Sequence, residues 1–200
     1  MKKKSFIRLT AIGVFGLIIT SCSTIPQPEI DAAKIAIAKA DSIGAGEYLP
    51  TEFVAIQDSL NAVITAINEE DSKFIKNFGE SKKKLTELAN SANELLTKTE
   101  EKKAAVKIET EGLIAEADSL ISNSYLLITQ APKGKEGTTA LTAIRAELDA
   151  LQLNMTEINE IMIQGKFMEA QNKISVVKEK AGSIHAELTA VIEKYKSYKR

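Results

Sequence analysis

The sequence predicts an all-α protein, an elongated antiparallel helical bundle of coiled-coil-like hairpins with one long central helix. Three observations predict it. Apolar residues return at steps of three and four through almost the whole chain, the spacing that puts them on one helix face. The four prolines stand only at 26, 28, 50 and 132, leaving long uninterrupted runs of helix formers. Aromatic residues make up 5% with no Trp, so the core must be built from Ala, Leu, Ile and Val.

Composition sets the first exclusions. With 200 residues, 44% hydrophobic and 26% charged, the chain suits one domain or two small ones and is neither a disordered tail nor a multi-span membrane protein. One Cys and one His exclude a disulfide framework and a Cys/His metal centre supplied by a single chain. The 26 basic residues include Lys2, Lys3, Lys4 and Arg8; setting those four aside leaves 22 against 27 acidic residues, a balance that speaks against nucleic acid as a partner.

Residues 1–21 have the layout of a secretory signal. The basic cluster is followed by an apolar stretch from Leu9 to Thr20, too short for the roughly 20 residues a spanning helix needs. Ile19-Thr20-Ser21-Cys22 resembles the bacterial lipobox, an aliphatic residue and two small ones before a Cys. A thiol can take a diacylglycerol thioether, and small residues before it admit the peptidase. The resemblance implies that Cys22 becomes an acylated N-terminus; two or more chains hold a protein stably on a membrane. Residues 22–27 then form a tether stiffened by Pro26. Ser23 after the Cys resembles the outer-membrane class, since Asp there favours inner-membrane retention. Ser23 to Glu29 also lacks the acidic run of many surface-exported lipoproteins, so the domain is expected to face the periplasm.

Two helical regions follow, 28–131 and 139–200. Pro28 and Glu29 suit a first helical turn, and Ile30, Ala33, Ile37 and Ala40 form a stripe that stops at Gly44 and Gly46. A second helix starts at Pro50 with Phe53, Ile56, Leu60, Val63 and Ile67 on one face. Glu69-Glu70-Asp71 marks a turn, and Ser72 is a candidate cap for a helix running on to about Ala131. Its stripe reads Phe74, Phe78, Leu85, Leu88, Ala92 and Leu95, then Val106, Leu113, Ala117, Leu120 and Leu127, with Gly79 and Gly112 as candidate kinks. Ala131 to Thr138 is a linker. Beyond it, Leu141, Ile144, Leu148, Leu151, Met155, Ile158 and Met162 form one seam. Phe167, Ala170, Ile174, Val177, Ala181, Ile184, Leu188, Val191 and Tyr195 form another, and the Gly165 break predicts an antiparallel hairpin. Gly46-Glu47-Tyr48 and Gly165-Lys166-Phe167 each place Gly, a charge and an aromatic at a helix entry, where the ring can wedge the closed end of a hairpin.

Pro28-Glu29-Ile30 with Ala33, Ile37 and Ala40, followed by Gly44-Ala45-Gly46-Glu47-Tyr48-Leu49-Pro50 and Phe53, resembles domain-of-unknown-function family 4398 over roughly residues 26–120. The resemblance implies a bacterial envelope lipoprotein with a helical domain just after the acylated Cys, and no chemistry.

Candidate catalytic residues are not found. Gly44-Ala45-Gly46 lacks the preceding strand and further Gly of a phosphate loop. His185 stands beside a seam without a second His or Cys, and the carboxylates sit on polar faces with Lys. Met155, Met162 and Met168 fit core filling, so no metal and no cofactor is expected. Lys194, Lys196, Lys199 and Arg200, interleaved with Tyr195 and Tyr198, are a candidate contact for an anionic surface such as peptidoglycan, or complement a helix C-terminus. The expected function is a lipid-anchored, non-enzymatic scaffold or spacer of the outer membrane. Its expected partners are the membrane through Cys22 and peptidoglycan or another envelope protein. The alternative is a periplasmic chaperone-like or peptidoglycan-associated module, which needs a large exposed apolar groove.

Overall fold

The computed structural model describes residues 24–132 and 135–198. It is all-α: α1 (Gln27–Ser42), α2 (Ala45–Tyr48), α3 (Pro50–Asp71), α4 (Gly79–Gln130), α5 (Lys135–Ile163) and α6 (Phe167–Tyr198), with no strand among the described residues. Proline placement explains two starts. Pro28 lies in the first turn of α1 and Pro50 opens α3, where a missing N–H costs nothing and the fixed φ already suits the helix.

The 52 residues of α4 make a shaft about 78 Å long, and every other long helix packs on it. Cross-helix pairs give the directions. Glu29 meets Lys82 at 3.5 Å, and Lys103 lies over the Tyr48 ring, so α1 and α2 run parallel to the first half of α4. Lys107 lies over Phe167, and Lys178 pairs with Glu116, so α6 runs parallel to the second half. Both α3 and α5 return antiparallel; Tyr125 bonding Asp149, Lys173 pairing with Glu157 and Lys180 with Glu147 fix the second return. These exposed ion pairs report register and add little stability.

Two three-helix cores therefore share one shaft. The first gathers Ile30, Ala33, Ile37, Phe53, Val63, Ile67, Phe78, Leu85 and Leu95. The second gathers Ala117, Ile121, Leu148, Leu151, Met155, Ile158, Ile174, Ala181 and Leu188. A helix break falls within the expected 131–138 linker, but α5 already starts at Lys135 rather than after it, and the cores divide inside α4. The 139–200 hairpin is antiparallel as expected, yet α6 packs more extensively on α4 than on α5. A hairpin with seams on two helices still leaves a groove, and the apolar stripe at Ala117 and Ile121 fills it.

Local expectations shift at three places. The long helix starts at Gly79, not Ser72: Ser72 is the C-cap of α3, its hydroxyl donating to the Glu69 carbonyl. Phe74, placed on the buried stripe by its spacing, is fully exposed in the intervening loop, while Phe78 is buried. α4 passes through Gly112 without interruption, and nothing lies within 4 Å of where its Cβ would be. At the end of α6, Ile192 takes the buried position in place of Val191, which is 45% exposed.

Candidate functional site

The arrangement singles out three levels of the shaft: its base at the α4 N-terminus, a waist at its middle, and the far end. Cys22, the candidate lipidation residue, lies outside the described residues, as do Lys199 and Arg200. Thr24, two residues after Cys22, is exposed at the base, and Pro26 beside it is buried.

At the base the loop between α3 and α4 is held by its own polar groups. Lys73 Nζ donates to Glu70 at 2.6 Å, Lys76 Nζ to Asp71 at 2.6 Å, and the Asn77 N–H to Glu70 Oε1 at 2.8 Å. The Gly79 N–H donates to Asn77 Oδ1 at 3.1 Å. The Lys73 and Asn77 donors hold the Glu70 carboxyl below the ordinary carboxylate range. Phe74 and Ile75 protrude from this frame, 103% and 80% exposed.

At the waist the closed ends of the two hairpins abut. Tyr48 closes the first and Phe167 the second, and Lys103 and Lys107, one turn apart on α4, cover their rings at 5.8 and 5.9 Å. The left-handed residue of the first turn is Gly44 (φ 102°), not Gly46, which is helical; in the second it is Gly165 (φ 76°). The Tyr48 hydroxyl is buried without a hydrogen-bond partner and faces the backbone of Met168 and Phe167 at the start of α6. Burial first, and the charge of Glu47 second, push its pKa up. Buried Thr99 and Thr110 flank this level, each hydroxyl donating to the carbonyl four residues back, Leu95 and Val106.

Along the second half, Tyr125 donates to Asp149, and burial together with that bond pushes its pKa up to about 12. His185 is half-buried with Nδ1 unpartnered, and no group of three His, Cys, Asp or Glu residues that could hold a metal occurs among the described residues. Met155 is buried in the second core, with Met162 packed against it. Lys194 and Lys196 are exposed on the last turns of α6, at the end of the shaft opposite Thr24.

Grooves between helices are open and mixed in character. One of about 510 Å³ runs between α3 and α4 past Ser59, Ala62, Glu70, Ser81 and Lys84. Its Glu70 carboxylate is already engaged by Lys73 and the Asn77 N–H. No helix among the described residues is long and apolar enough to cross a membrane. Sequence reasoning missed the protruding loop because helical spacing absorbed Phe74; the signal was Asn77 before Gly79, a turn pair inside an assumed helix. It anticipated an aromatic residue at each hairpin turn, Tyr48 and Phe167, with Gly165 but not Gly46 as the left-handed residue. No family model matches the chain, and neither a curated protein nor a solved structure matches it significantly.

Proposed function

We propose that the chain is a lipid-anchored, non-enzymatic spacer or scaffold of the bacterial envelope, held in the outer membrane by acylated Cys22 and facing the periplasm. One observation carries this reading: the sole Cys falls directly after Ile19-Thr20-Ser21, at the end of a short apolar stretch preceded by four cations. The rod supports it. A shaft of about 78 Å with Thr24 at one end would hold its other end well away from the bilayer. The resemblance of Pro28 to Phe53 to family 4398 would imply the same location. The exposed Lys194 and Lys196 favour peptidoglycan as the partner at the far end, through its carboxylates.

The test is metabolic labelling with fatty acid. Wild type takes up label and fractionates with membranes; Cys22→Ser loses the label and appears in the soluble periplasmic fraction. A Cys22→Ser chain that stays labelled and membrane-bound would overturn the reading.

A further inference from the structure

The base of the shaft carries an exposed apolar pair that the anchor alone leaves unexplained. Phe74 and Ile75 are 103% and 80% exposed at the tip of the α3–α4 loop, and Ile25, at the same end, is 41% exposed. Single exposed apolar residues are ordinary; two adjacent large ones at a tip are not. The exposure is not slack in the chain, because Glu70, Asp71 and Asn77 fix the loop on both sides and Phe78 turns straight back into the core.

We propose that Phe74 and Ile75 are a second membrane contact, dipping into the interface of the same bilayer that receives the Cys22 acyl chains. This rests on the lipoprotein reading only for which surface the loop meets. Position argues for lipid. Thr24 stands at the base, and the two residue steps from it to Cys22 span at most about 7 Å, so acyl chains on Cys22 would hold this end against the headgroups. Charge argues the same way. Glu70 and Asp71 are paired with Lys73 and Lys76, and Glu29, Glu80 and Glu87 with Lys82, Lys84 and Lys83, so most of the acidic groups at the base are offset by a neighbouring cation, with Glu69 exposed beside them. Magnitude assigns the role. Burying a Phe and an Ile favours the bound state roughly tenfold or more each, too little to anchor a protein alone. Beside a tether that already confines the loop to the surface, it suffices to fix posture. The loop and the tether together give the shaft two feet, and two feet hold it upright.

The test uses the full acylated chain in vesicles of phosphatidylethanolamine and phosphatidylglycerol, with an environment-sensitive dye on Ile75→Cys and, as reference, on Glu101→Cys at mid-shaft. Dye at 75 should shift its emission to shorter wavelength and lose several-fold more intensity to brominated lipid than dye at 101. Equal quenching of the two sites by aqueous iodide, with Cys22 acylated, overturns the second contact and leaves the anchor standing. A shift at 75 that brominated lipid does not quench also overturns it, since the loop then meets protein. Lipid quenching at 75 on a chain whose Cys22 carries no acyl group sustains the loop and removes the anchor. The Phe74→Ser/Ile75→Ser chain, which alters only the loop surface, should keep its helicity. Energy transfer from a dye on Lys196→Cys to labelled headgroups should rise several-fold as the shaft lies down; unchanged transfer overturns the postural role.

Discussion

Gly44 is held by two constraints at once. Its φ of 102° lies in the left-handed region, and a Cβ there would stand 3.2 Å from Tyr48 Cδ2. Gly165 carries the first constraint alone, with φ 76° and nothing within 4 Å of the added Cβ. Gly165→Ala should therefore cost about 1 kcal/mol, the ordinary penalty for a left-handed non-Gly residue, and Gly44→Ala clearly more, up to about 3 kcal/mol. Urea unfolding of the two variants checks the order; equal losses would mean that the Tyr48 ring yields freely. The sequence showed Gly, charge and aromatic at both turns and could not say which Gly of the Gly44-Ala45-Gly46 run reverses the chain. Both fit a turn, and only the approach of the Tyr48 ring decides between them.

Among elements, α4 owes its continuity to packing more than to propensity. Isolated helices gain little per residue, and Gly112 weakens this one by about 1 kcal/mol relative to Ala. What holds it straight through is a stripe that changes partners, from α1 and α3 to α5 and α6, without breaking step. The stripe was legible from spacing; its change of partners was not, because periodicity gives a face and says nothing of what covers it. Phe74 shows the same limit from the other side, spaced for burial yet standing in water beside a turn. The shared core makes a direct prediction. Ile174 is fully buried against two neighbouring helices, so Ile174→Asp leaves an unpaired charge there and should cost at least about 3 kcal/mol. Circular dichroism melting measures it, and an unchanged melting temperature would mean that the α6 seam is not covered.

At the scale of the molecule, the all-α class, the hairpins and the long helix were readable from composition and heptad steps, while the placing of two cores along one shaft came from packing. The far end follows charge. If Lys194 and Lys196 meet an anionic wall polymer, isolated sacculi should retain the chain at low salt and release it near 0.1 M, where screening shortens to about 10 Å. A chain lacking residues 194–200 should not be retained; equal retention with and without them would leave these cations to the helix dipole alone. The unbroken shaft also makes the protein a lever. A rigid rod of about 78 Å that leans by only about 10 degrees at its foot carries its tip sideways by about 14 Å, the girth of more than one helix. If Cys22 and the Phe74 loop stand on a bilayer as proposed, small changes in footing become large changes in the territory swept at the other end, and the breadth of that sweep is set at the hinge rather than at the tip.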